Sequence, residues 1–212
     1  MTNAPLKRNA TYADLMDLPD NVVGEIVGGD LYATPRPRMG HAFVQAAILV
    51  ATRGSSGAGS AGAGSGAGPA GAAGWWVVGE PELHLEGEYL VPDLAGWRHA
   101  TMPSFPADAV SVAIAPDWIC EIVSPSTALH DRVRKLPAYA RAGVAHAWLV
   151  DPVAHTLEVL ELRAPGADAD GVRRYALITA HGADDRACPA PFAAHEFALA
   201  TWWPPATIEP AP

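Results

Sequence analysis

The chain has 212 residues, half of them hydrophobic and 17% charged, with a formal net charge of −9. This balance excludes a disordered chain. The acidic surplus excludes nucleic-acid binding through bulk electrostatics, so any such contact has to be local or bridged by metal ions. Cys120 and Cys188 make no disulfide framework. No stretch approaches the roughly 18 unbroken apolar residues of a membrane helix, and the opening run MTNAPLKRNATYADL lacks a signal-peptide core. A cytoplasmic, non-membrane protein with reduced thiols is expected. At roughly 100–200 residues per domain, a single domain over 1–212 is expected too.

In chain order, Thr11 with Asp14 three residues on has the pattern of a capping box, and a short helix is predicted from there to Pro19. Val22–Val27 reads as a strand, Gly28-Gly29 as a hairpin turn and Asp30–Thr34 as the return strand. His41–Arg53 carries Phe43, Val44, Ala47, Ile48 and Val50 without glycine or proline, which predicts a helix. Residues 54–74, GSSGAGSAGAGSGAGPAGAAG, are low-complexity and read as a flexible surface-loop insertion. Such an insertion adds little closure entropy.

Beyond it, Trp75–Val78 is a predicted strand that Leu83–Leu85 continues, and Glu86-Gly87 is a turn. Tyr89–Trp97 and Trp118–Val123 are predicted as two further strands, and a helix over Arg132–Ala142 is predicted to stop at Gly143. Ala147–Val150 has the apolar run of a buried strand. Thr156–Leu162, Arg173–Ile178 and Phe197–Trp202 supply the remaining strands. The order of elements points to an α+β or α/β fold with a mixed central sheet flanked by helices.

Three features carry chemistry. Asp93 lies in the apolar run Leu90–Ala95, Glu121 lies in the apolar run Trp118–Val123, and Lys135 follows in the next helix. A carboxylate buried in a strand is costly unless partnered. Two that meet repel each other unless a cation lies between them. Oxygen donors favour Mg²⁺ or Mn²⁺, and a nearby lysine can orient water or offset charge on a phosphate. Each residue also has a plain structural reading: Asp93 as a strand-end residue, Glu121 as the partner of Arg132 or Arg134, Lys135 as a solvated helix residue.

The other candidates are simpler. Arg36 and Arg38, with Arg132 and Arg134, read as local phosphate contacts or as surface charge. Ser124 and Ser126 lack a His/Asp arrangement. Cys120 reads as a core thiol, and the histidines show no zinc spacing. Trp75, Trp76, Trp118 and Trp148 read as core or dimer-interface aromatics.

The blocks Glu25-Ile-Val-Gly-Gly-Asp-Leu-Tyr32, His41, Val91-Pro-Asp-Leu94, Ile119-Cys-Glu-Ile-Val-Ser-Pro-Ser-Thr127, Lys135 with Tyr139-Ala-Arg-Ala-Gly-Val144, and Ala147-Trp-Leu-Val-Asp-Pro152 occur in this order. Together they resemble the Uma-two family of restriction-endonuclease-like proteins, within the PD-(D/E)XK nuclease superfamily. The resemblance spans roughly residues 10–163. It implies Asp93 and Glu121 as metal ligands, Lys135 as the catalytic lysine, Glu25 as a further site acid, and His41 near the substrate. Many related nucleases place the lysine two residues after the second acid, where this chain has Val123; the family carries it on the following helix. Pro137 departs from that pattern, because proline belongs to a helix's first turn. The helix is therefore expected to begin late, with Lys135 at or outside its start.

The resemblance implies a Mg²⁺- or Mn²⁺-dependent endonuclease acting on DNA, plausibly as a homodimer that cuts both strands. Two other readings stay open. One is a non-catalytic binding or assembly module on the same fold. The other is a metal-dependent hydrolase of a small phosphoester, which a narrow closed pocket would favour over an open groove.

Overall fold

Gly28 and Gly29 take φ of +62° and +78°, the left-handed backbone that a two-residue hairpin turn requires and that glycine adopts without strain. They join β1 (Val22–Val27) to β2 (Asp30–Pro35) in continuous antiparallel register, from Val27 opposite Asp30 to Val22 opposite Pro35. Helix α1 (Tyr12–Met16) leads into this hairpin, and the Thr11 amide and hydroxyl both donate to the Asp14 carboxylate, as the capping pattern predicts. The computed structural model describes residues 4–54, 74–164 and 171–205. Of the loop expected at 54–74, residues 55–73 lie outside the described residues.

Helix α2 (Met39–Gly54) follows, then β3 (Trp75–Gly79), β4 (Leu83–Leu85), β5 (Glu88–Leu90), β6 (Leu94–Arg98) and β7 (Trp118–Ile122). A helical segment runs through α3 (Ala128–His130), a π-turn (Asp131–Lys135) and α4 (Leu136–Arg141). The chain then forms β8 (His146–Asp151), β9 (Thr156–Arg163), β10 (Arg174–His181), β11 (Arg186–Ala187) and β12 (Phe197–Ala198). The strands form a four-stranded sheet, β2-β1-β5-β4, a six-stranded sheet, β10-β9-β8-β7-β6-β3, and a small β11-β12 pair. Within the six-stranded sheet β7 and β8 are parallel and the other pairs antiparallel, so the fold is α+β on a mixed central sheet. The parallel pair needs a crossover, and the helical segment that carries Lys135 provides it.

Both faces of the large sheet are covered, which is why every residue of β7 is buried. Trp118, Cys120 and Ile122 pack with α2 residues Val44 and Ile48 and with Trp148, Phe192 and Trp202. Ile119 and Val123 pack on the other side with Tyr32 of the small sheet and with Ala138 and Tyr139 of α4. Cys120 is a buried free thiol, as expected.

Four expectations are corrected. The strand expected over Tyr89–Trp97 is two strands in two sheets, β5 and β6. Pro92, with no N–H to donate, lies where the chain leaves one sheet for the other. Leu83–Leu85 does not extend β3 but pairs with β5 in the small sheet. Past Ala198, the expected C-terminal strand becomes a 3-10 turn, Leu199–Thr201.

The helix before Gly143 starts earlier than Pro137 suggested. Pro137 removes one backbone donor and crowds the carbonyl of Val133, and the wide π-turn ending at Lys135 takes up that defect. Lys135 therefore sits inside a helical segment.

That segment ends on a left-handed glycine. Gly143 has φ +83°; its amide donates to the Ala140 carbonyl, and the Val144 amide reaches back to Tyr139, the two bonds of a Schellman motif. Gly143→Ala is expected to lower the unfolding free energy by about 1–2 kcal/mol in urea denaturation. An unchanged midpoint would contradict this reading of the cap.

Candidate active site

The antiparallel register of β6 and β7 sets Leu94 opposite Cys120 and Ala95 opposite Ile119. Asp93 directly precedes this pairing, at the end of β6 next to Glu121 of β7, and Glu121 projects onto the face covered by the small sheet and α4. Asp93 is not within a strand, as the sequence suggested, but in the short link after Pro92. Its backbone carbonyl accepts from the Glu80 amide at 3.0 Å and from Gln45 Nε2 at 2.8 Å. Its side chain accepts from the Ile122 amide through Oδ2 at 2.6 Å, while His41 Nε2 lies 2.7 Å from Oδ1. His41 and Gln45 are one turn apart on α2, so one helix face holds both the carboxylate and the backbone of Asp93.

Lys135 reaches into the same face from the π-turn. Its ammonium lies 2.8 Å from Glu121 Oε1 and 3.0 Å from Glu25 Oε1, and it donates to the Val91 carbonyl at 3.0 Å. An ammonium has three N–H groups, and these three acceptors use all of them. Glu25, on β1, also accepts from the Val91 amide at 2.8 Å. Tyr139 donates its hydroxyl to Glu121 Oε1 at 2.8 Å. His130 Nε2 lies 3.4 Å from Glu25 Oε2, close enough for charge attraction but not aligned as a hydrogen bond.

The chemistry is graded by depth. The side chains of Glu25, Glu121 and Lys135 are 3–5% exposed, whereas Asp93 and His41 are 16% and 19% exposed. The cluster is therefore reached from the Asp93–His41 end. Burial pushes the Glu121 carboxyl well above the usual carboxylate range; Lys135 opposes this, and the neighbouring anions Asp131, Asp93 and Glu25 add to it. For Glu25 burial acts in the same sense, but Lys135, His130 and the Val91 amide outweigh it and hold the carboxyl below its ordinary value. Burial lifts Asp131 to about 6, against the pull of Lys135 and Thr127. Burial alone would depress Lys135, yet Glu121, Glu25, Asp131 and Asp93 raise it well above the ordinary lysine value. His41 is raised by Asp93, in spite of burial.

Four acids, Glu25, Asp93, Glu121 and Asp131, thus act on one lysine, and the cluster is short of positive charge. That shortage and the all-oxygen donor pair suit a hard divalent cation. Among the described residues no three His, Cys, Asp or Glu side chains converge as a ready-made metal cage. A Mg²⁺-type ion commonly takes one or two carboxylates from the protein and fills the rest with water and substrate phosphate, so Asp93 and Glu121 fit as the protein's share.

Other predicted residues fall elsewhere. The Arg36 Nε donates to the Asp20 carbonyl, and Arg36 and Arg38 are exposed. Arg132 pairs with Glu158 on β9, and Arg134 lies over the Tyr32 ring, so neither is the partner of Glu121. Sequence reasoning gave no role to Gln45, Glu80, His130 or Tyr139. Glu80 carried the faintest signal, since nothing in its sequence setting announces the left-handed φ of +48° found there, a strain that collects near functional sites.

The Lys135 ammonium offsets two buried carboxylates, so its removal leaves them uncompensated. Lys135→Met is expected to lower the unfolding free energy at neutral pH by about 3–5 kcal/mol, with part recovered by adding Glu25→Gln. Urea titrations of the two variants test this, and a Lys135→Met protein as stable as the parent would contradict the network.

Comparison with known proteins agrees with this architecture. A crystal structure described as that of a putative nuclease belonging to DUF820, from Anabaena variabilis ATCC 29413, superposes with a TM-score of 0.64 at 17% identity. The match covers 92% of this chain and 97% of that one, a likeness of fold. No curated protein matches. The family model described as "Uma2: Putative restriction endonuclease" matches residues 12–200, and the chain belongs to the Uma2 family.

Proposed function

We propose that this protein is a metal-dependent endonuclease that hydrolyses DNA phosphodiester bonds. The observation that carries the reading is Asp93, bonded to the Ile122 amide beside Glu121, with Lys135 buried against Glu121. A cluster this rich in buried charge is costly to assemble, and its open end carries an acid beside a histidine. The family description supplies the nuclease class.

When bound, a Mg²⁺ or Mn²⁺ ion supplies Lewis-acid polarisation and a water of lowered pKa. Asp93 and Glu121 are the residues that would hold that ion. The Ile122 amide and His41 fix the orientation of the Asp93 carboxylate. Lys135 has its N–H groups committed to Glu25, Glu121 and Val91, so it acts here by holding Glu121 and keeping positive charge beside the reaction centre. Glu25 anchors that lysine to β1. Arg38, exposed just before α2, supplies a contact to a backbone phosphate.

The cluster opens at a partly exposed edge, at Asp93 and His41, which suits a phosphate projecting from an extended strand. One copy carries one such site and nicks one strand; a cut through both takes two copies.

Supercoiled plasmid and single-stranded DNA, incubated with Mn²⁺ or Mg²⁺, are expected to be nicked or cleaved. A chelator should abolish the reaction. Asp93→Ala and Glu121→Gln should each lower the rate by about 100-fold or more, the scale of several kcal/mol of lost transition-state stabilisation. Activity that survives both substitutions would sink the site assignment. A folded wild type inert with every divalent ion would favour the binding module.

A further inference from the structure

Glu121 does not present its two oxygens alike. The Lys135 ammonium and the Tyr139 hydroxyl both converge on Oε1, each at 2.8 Å, and the other oxygen takes neither contact. The two donors differ in character. Lys135 sits on the π-turn at the end of a flexible stem and divides its N–H groups among three acceptors. Tyr139, four residues on, has a fully buried ring packed among Val27, Tyr32, Ile119 and Val123. A ring clamped in this way has little freedom, so its hydroxyl is the rigid donor of the pair. Burial and the adjacent carboxylates also keep that hydroxyl protonated, hence a donor. The Val144 amide of the Schellman turn at Gly143 donates to the Tyr139 carbonyl, which ties its backbone as well.

We propose that Tyr139 is a positioning residue for Glu121: its hydroxyl pins Oε1 and leaves Oε2 as the oxygen offered to the cation. This rests on the metal-dependent reading above. Groups that orient a ligating carboxylate in this way typically affect metal affinity by 10–100-fold when removed. Tyr139 touches neither the ion nor the substrate, so its effect should appear in ion binding itself.

The test is Mn²⁺ binding to the full chain without DNA, measured by titration calorimetry and by electron paramagnetic resonance of the free ion. Tyr139→Phe keeps the ring and removes one hydroxyl. Tyr175→Phe is the control, because Tyr175 is partly buried against the same core and donates its hydroxyl to a backbone carbonyl, that of Val144, at 2.8 Å. Tyr139→Phe is expected to weaken Mn²⁺ binding by about 10- to 100-fold and Tyr175→Phe to leave it within about twofold, with both variants folded by circular dichroism. Wild-type affinity in Tyr139→Phe, or equal weakening in both variants, overturns the positioning role alone. A wild type that binds no Mn²⁺ overturns the metal reading, and this inference with it.

Discussion

One ammonium holds three parts of the fold together. Lys135 comes from the crossover helix, Glu25 from the small sheet, Glu121 from the large sheet, and the Val91 carbonyl from the link between the sheets. A buried charge of either sign is expensive in isolation, so none of these elements can settle without the others. Burying such a network contributes little net stability against a well-packed apolar alternative. Its physical effect is registry. The alignment in which the two sheets meet, on either side of Pro92, satisfies the lysine and brings Asp93 beside Glu121.

The same constraint explains the asymmetry between the acids. Glu121 and Glu25 share one lysine, yet burial and like charge push the first up while Lys135, His130 and the Val91 amide together hold the second down. The difference lies in their partners. Glu25 also has the Val91 amide and His130, whereas Glu121 faces Asp93 and Asp131 as well. Of the two, Glu121 is the carboxylate whose charged form lacks compensation and gains most from a further cation nearby.

Much of this was legible in the sequence, and what was not has physical causes. Glu25, Asp93, Glu121 and His41 stood out as polar residues in apolar runs or in family blocks, and the structure gathers them with Lys135. The hairpin, α2 and β7 to β9 follow from glycine chemistry and apolar periodicity. Pro92 was read as part of a strand because the residues around it are apolar, although its missing donor is what breaks the strand. Pro137 misled in the opposite sense: the argument about helix starts assumes α-helical spacing, and a π-turn relaxes it. Tyr139 and Gln45 were silent for a different reason. An aromatic on an apolar helix face reads as core, and a glutamine on a helix reads as solvated. Their roles arise only when the chain brings Glu121 and Asp93 within reach of them.

For a chain of net charge −9, approach to a polyanion is a problem that local structure has to solve. The exposed arginines just before α2 are Arg36 and Arg38, and Arg36 is already bonded to the Asp20 carbonyl. The cluster itself is more acidic than basic. An acidic pocket attracts phosphate only if a cation of higher charge than lysine enters it, since Lys135 is already shared among its acids. Under the proposed function the affinity for divalent ions and the affinity for nucleic acid are then one property. The carboxylates recruit the ion, and the ion turns an electrostatic barrier to phosphate into its binding site. The partly exposed edge at Asp93 and His41 is where that exchange would take place, because there the buried network meets solvent.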